Sequence, residues 1–195
     1  DSLHQPYKGL NAVIGDAIGN LRSSLDYIVV ALLAPKLGKT KDIAFPFADN
    51  EAGFKGEVTK RPDGIMNCDA VIRDHFINEI QAYERGKGES LWALNHLRNI
   101  DKHRFLVETT SLAGVTASWQ LHGSTFRDCG MQVMAGNSGA FISAPQGIQF
   151  TDNPRPTFQV LFNEPPYANN LPVVGLLNRF AGDVQRVLEA IKKIC

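Results

Sequence analysis

Residues 91–121 read LWALNHLRNIDKHRFLVETTSLAGVTASWQL, and the two halves of this stretch obey different periods. In the first half Leu91, Leu94, Arg98, Asp101 and Phe105 recur every three or four residues, the spacing of one side of a helix. Glu89-Ser90 just before it supplies a helix cap. In the second half Val115, Ala117, Trp119 and Leu121 alternate with Thr116, Ser118, Gln120 and His122, as a half-buried strand requires. A helix over about 91–107 therefore runs straight into sheet, and helices and strands share one domain.

The flanks extend this picture. Upstream, Leu10, Val13, Ile14, Ala17, Ile18, Leu21, Leu25, Ile28, Val29 and Leu32 keep the helical period, with Pro35 and Gly38 as the stop, which predicts a long helix over about 10–34. Pro46, Gly53, Gly56, Pro62 and Gly64 break any period across 35–67, so this segment reads as a long connection covering the helices, with one short extended piece at Ile43-Ala-Phe-Pro-Phe47. Val71, Ile72, Phe76, Ile77 and Ile80 form the stripe of a second helix over about 69–84, capped by Asp69 and ended by Gly86-Lys-Gly88. Downstream, Phe158, Val160 and Phe162 alternate, and Met131-Gln-Val-Met134 and Ala140-Phe-Ile-Ser143 flank the turn formers Gly136-Asn-Ser-Gly139. Three to five antiparallel strands are expected across 106–163. Asn169-Asn170 then reads as the cap of a last helix over about 171–194, with Pro172 in its first turn and Val173, Val174, Leu177, Phe180, Val184, Val187, Leu188, Ile191 and Ile194 as its apolar face. The fold class is α+β: a four-helix bundle-like core with a small antiparallel β-sheet inserted between helices 3 and 4, in a single domain over 1–195.

Composition narrows the function. A chain of 195 residues that is 44% hydrophobic buries a core without staples. Twenty basic side chains balance twenty acidic ones, so no global field draws it onto DNA or an anionic membrane, and any polyanion site must be local. Cys68, Cys129 and Cys195 are odd in number and far apart, which argues against a disulfide framework and points to a reducing cytoplasm. No uninterrupted apolar run approaches the length of a membrane span. The chain opens at Asp1 with neither a Met nor a signal-like segment, so the natural N-terminus is expected upstream.

The chemistry-bearing residues gather in Leu97-Arg-Asn-Ile-Asp-Lys-His-Arg-Phe105. Arg98 and Asp101 put two charges into the core-facing stripe, while Trp92, His96, Asn99 and His103 line a second, polar-aromatic stripe. Arg98 and His103 lie roughly 140° apart on a straight helix, so they converge only at a kink or across a symmetry axis between two copies. In the first helix Arg22 and Asp26 have the i,i+4 spacing of a pair. With Arg98, Asp101 and Arg104 they are expected to form one charged network that fixes helix register. The remaining histidines include no His-x-x-x-His, so neither a metal nor a cofactor is expected, and the chain carries no nucleophile elbow or phosphate-binding glycine loop. Lys36, Lys39, Lys41, Lys192 and Lys193 read as solvated helix-end charges, and Phe45, Phe47, Trp92 and Trp119 as core.

Arg98-Asn99-x-x-x-His103 resembles the signature of the HEPN superfamily, in which the motif sits toward the end of the third of four bundled helices. Leu21-Arg-Ser-Ser-Leu-Asp26 together with Asn99-Ile-Asp-Lys-His-Arg104 also resembles a group of bacterial proteins without an established activity. The superfamily resemblance implies a homodimer acting as a metal-independent ribonuclease on RNA. His103 would move the proton of the 2′-hydroxyl or leaving oxygen, Arg98 would hold the phosphate, Asn99 would orient either, and 2′,3′-cyclic phosphate ends would result. The residues themselves leave two other readings open: a non-catalytic RNA-, nucleotide- or protein-binding module, and a purely structural cluster. The partner chosen by Asp101 separates them, because an Arg98 neutralised by Asp101 is lost as a phosphate ligand.

Overall fold

A computed structural model describes residues 8–104, 109–121, 123–134, 149–151, 153 and 155–195, with the side chains of His103 and Arg104 and many in the sheet outside that description. The protein is α+β. Helix α1 spans Lys8–Leu37, α2 Glu51–Lys60, α3 Ala70–His75, α4 Glu89–Arg104 and α5 Val173–Ile194; strands β1 (Thr109–Leu121), β2 (Ser124–Met134), β3 (Gln149–Phe150), β4 (Arg155–Glu164) and β5 (Ala168–Pro172) lie between α4 and α5.

The first helix follows its periodicity. Ile14, Ile18, Leu25, Ile28, Val29 and Leu33 are buried, whereas Val13, expected in the stripe, is exposed. Pro35 does not stop it. The helix continues to Leu37 and ends at Gly38, which takes the left-handed conformation (φ +64°) and donates its N–H to the Ala34 carbonyl at 2.9 Å. By length and composition α1 is the one described helix long and apolar enough to cross a membrane. Within this fold its apolar stripe faces the protein's own core.

The connection over 35–67 contains a helix that its glycines conceal. Asn50 caps α2 by accepting the Gly53 N–H at 2.9 Å, and Phe54 and Val58, one turn apart, are buried. Phe45 lies in the core against Phe47 and Phe76, without joining a sheet. The next helix is shorter than its stripe suggests: α3 passes into a π-turn over Phe76–Ile80 and ends where Gln81 adopts a left-handed backbone (φ +47°). Residues 81–88 then fold back, Gly88 donating to the Gln81 carbonyl at 3.2 Å. Asp69 stands at the start of α3, but its carboxylate binds Lys36 Nζ at 2.9 Å instead of capping.

The sheet has strand order β2-β1-β4-β5, all pairs antiparallel, with β3 continuing the β4 side of β1. β1 and β2 form a hairpin closed at Leu121 and Ser124, with Gly123 in its turn at φ +80°. The turn expected at 136–139 and the segment 140–143 lie outside the described residues. β4 pairs with β1 from Thr109 opposite Phe162 to Thr116 opposite Arg155. β5 belongs to the sheet rather than to a helix cap: Asn169 pairs with Asn163, Asn170 has a positive φ of 56°, and Pro172 precedes the first helical residue, Val173. On α5 the buried face is Val173, Leu176, Phe180, Asp183, Val184, Val187 and Ile191; Val174 and Leu188, expected in it, are exposed. Helices α1, α4 and α5 pack pairwise on one another, and α5 also touches β4 and β5.

Candidate functional site

The two polar stripes expected on α4 face different neighbours. One is pressed onto α1. A Cβ added at Gly15 would collide with the Asp101 carboxylate, and one at Gly19 would lie 3.5 Å from Arg98 Nε. Two glycines one turn apart thus let the charged side chains lie directly on the α1 backbone. Arg98 Nη1 binds Asp101 Oδ2 at 2.9 Å, with Asp101 only 15% and Arg98 37% exposed. Among the described residues, the anticipated network shows two groups of contacts, with the Arg104 side chain outside the description. One turn further along this seam Arg22 Nε donates to Asn95 Oδ1 at 2.8 Å, its Nη1 lies 2.6 Å from Asp26 Oδ1, and its guanidinium sits 4.4 Å over the Phe47 ring. That same Asp26 oxygen accepts the Phe45 N–H at 2.8 Å, tying the 43–47 segment to α1. Arg22 and Asp26 therefore lock α1 to α4 and to the covering segment, and Asp101 locks Arg98. The side chains of Arg104 and His103 lie outside the described residues.

The other stripe is open. The ring of His96 stacks on Tyr167 (centroids 4.4 Å apart, planes 8° apart), and Trp92 meets both edge-on at 4.4 and 5.2 Å. Asp49 Oδ1 accepts Trp92 Nε1–H at 3.3 Å and lies 3.3 Å from His96 Nε2. One turn on, His96, Asn99 and Ile100 of α4 face the β4–β5 turn, Glu164-Pro165-Pro166-Tyr167, across a groove of about 420 Å³. Pro165 and Pro166 are joined by a cis peptide. Glu164 is 2% exposed and engaged with other groups of the protein. Among the described residues the Asn99 amide has no hydrogen-bond partner, and no lysine or arginine lines the groove.

Of the three residues with an implied catalytic role, Arg98 and Asn99 are thus separated by the helix itself: Arg98 faces the α1 seam and Asn99 the groove. His103 follows Asn99 by four positions in the last turn of α4. Sequence reasoning missed Asp49, Asn95, Glu164 and Tyr167. Asn95 alone carries a local signal, standing one turn before Arg98 in the same seam.

A smaller hollow of about 170 Å³ lies between the end of α3, the start of α4 and α5, and includes His75, Glu79, Lys87, Ser90, Asp183 and Arg186. Its charges are mutually satisfied: Lys87 binds Glu79 at 2.9 Å, and buried Asp183 accepts Ser90 Oγ–H and pairs with Arg186. Of the lysines read as helix-end charges, Lys36 pairs with Asp69 at 2.9 Å and Lys39 with Asp63 at 2.7 Å. Burial raises the Cys68 thiol above its usual pKa, beside an opposing contribution from Lys36. Among the described residues no cluster of three His, Cys, Asp or Glu side chains is placed to hold a metal ion. Comparison of the chain with protein-family models, curated proteins and solved structures returns no match.

Proposed function

We propose that this chain is a HEPN-like protein, its long helices forming a bundle-like core around which the sheet is inserted, and that it works as a non-catalytic binding module. The observation that carries this reading is the Arg98–Asp101 ion pair on the glycines of α1. A guanidinium already facing a half-buried carboxylate offers little net positive charge to a phosphate, because binding the anion brings two negative charges to one cation. Asn99, by contrast, has an amide without a partner among the described residues, in a groove of the size that small ligands or a few side chains fill. The polar motif then divides its work: Arg22, Asp26, Asn95, Arg98 and Asp101 hold α4 in place, and His96, Asn99 and Tyr167 meet the ligand.

The test is a solution titration of the full chain, isotope-labelled, with a panel of short peptides and mixed-sequence oligoribonucleotides. The reading predicts saturable amide shifts concentrated at 96–100 and 164–168, abolished in Asn99→Ala/Tyr167→Leu. Shifts concentrated instead along the α1–α4 seam, or none with any panel member, would overturn it.

A further inference from the structure

We infer that the groove between α4 and the β4–β5 turn is a guanidinium site, taking an arginine side chain or a free alkylguanidine. This rests on the binding-module reading and gives that module a ligand class. Four observations converge on it. First, no lysine or arginine stands in the described lining. Second, the aromatic wall is a stacked His96–Tyr167 pair braced edge-on by Trp92. Such a rigid π surface suits a planar delocalised cation, which gains from both the ring quadrupole and flat stacking. Third, Asp49, 79% exposed, stands beside the groove-lining His96, one carboxylate oxygen lying 3.3 Å from both Trp92 Nε1 and His96 Nε2. Its second oxygen, without a partner among the described residues, is offered to a guanidinium N–H. Fourth, the Asn99 carbonyl has no partner among the described residues and can accept another N–H, while Ile100, Pro165 and Pro166 give apolar contact to an alkyl stem.

The described lining offers no lysine or arginine to compensate the charge of a phosphate or a free carboxylate. A neutral planar amide of the same shape would keep the stacking and the Asn99 contact but lose the cation–π and Asp49 terms. That difference makes citrulline, the uncharged isostere of arginine, the decisive probe.

The experiment titrates the full chain with three probes, a capped Gly-Gly-Arg-Gly-Gly peptide, its citrulline counterpart and agmatine, and reads amide shifts at 96–100 and 164–168. The expected result is saturable binding of the arginine peptide and about tenfold weaker binding of the citrulline peptide, the ratio that a desolvated cation–π contact gives. Asp49→Asn and Tyr167→Leu, each with an intact fold by circular dichroism, should each weaken the arginine peptide about five- to tenfold. Agmatine binding as tightly as the peptide assigns the site to a small amine; a clear preference for the peptide assigns it to a partner's side chain. Equal binding of the arginine and citrulline peptides overturns the guanidinium assignment and leaves the binding module standing. Absence of saturation by all three probes up to about 10 mM also overturns it, and the wider panel of peptides and oligonucleotides then decides the module itself.

Discussion

The two sides of α4 use similar residues for opposite ends. On the α1 side the charged groups are held in pairs: Arg98 with Asp101, Arg22 with Asn95 and Asp26, and glycines clear the space for them. On the β4–β5 side His96, Tyr167 and Trp92 brace one another, yet the groove they border stays open and Asn99 keeps its amide free among the described residues. The difference teaches that a dense polar motif on one helix need not be one site. Adjacent positions are turned roughly 100° from each other, enough for one to seal a seam while the next faces an open groove.

That comparison breaks or sharpens under substitution. The largest effect should come from the hinge between the two sides: Leu97, fully buried, should cost about 2–5 kcal/mol as Leu97→Ala, read as a fall in the denaturation midpoint. Slightly smaller is the loss expected for Gly15→Val, which drives a branched side chain into the Asp101 carboxylate; about 2–3 kcal/mol is anticipated. Combining it with Asp101→Ala should recover part of that cost, a non-additivity that would be missing if the two residues did not touch. Arg22→Ala should follow at about 2 kcal/mol, since it strands Asn95 and a half-buried Asp26 together. On the open side, Asn99→Ala should change stability by less than about 0.5 kcal/mol while removing ligand binding. A stability loss for Asn99→Ala as large as that for Arg22→Ala would erase the distinction between the two sides.

A last, smaller effect concerns pH. The buried Cys68 thiol keeps its proton to higher pH in the folded chain than in the unfolded one, whose value is near 9.0. Above that pH the unfolded state releases a proton that the folded state retains, so stability should fall as pH rises through this range. In Cys68→Ala that part of the alkaline slope should vanish, which a series of denaturation curves between neutral and alkaline pH would show.

Much of the helical part was legible because burial writes a period into sequence. The buried Ile14, Ile18, Leu25 and Val29 recur at helical spacing, and the intrusion of Arg98 and Asp101 into the α4 stripe marked the seam before any partner was known. α2 was not legible, since only Phe54 and Val58 are buried, with Gly53 before them and Gly56 between them interrupting the pattern. Nor was β5, where one buried residue, Ala168, precedes two asparagines and a proline that resemble a cap. The groove left one local trace, the stripe of Trp92, His96 and Asn99 on α4; its other wall was hidden, because His96 and Tyr167 meet only through tertiary packing.

Under the proposed function the motif locks and binds without cleaving RNA. The most direct test is to incubate the full chain, at high concentration, with mixed cellular RNA in EDTA and to map 2′,3′-cyclic phosphate ends beside the His103→Ala variant. The account predicts identical end profiles for both proteins and for buffer alone. New ends made by the wild-type chain and lost in His103→Ala, with the variant's fold intact, would contradict it and return Arg98 and His103 to a catalytic role.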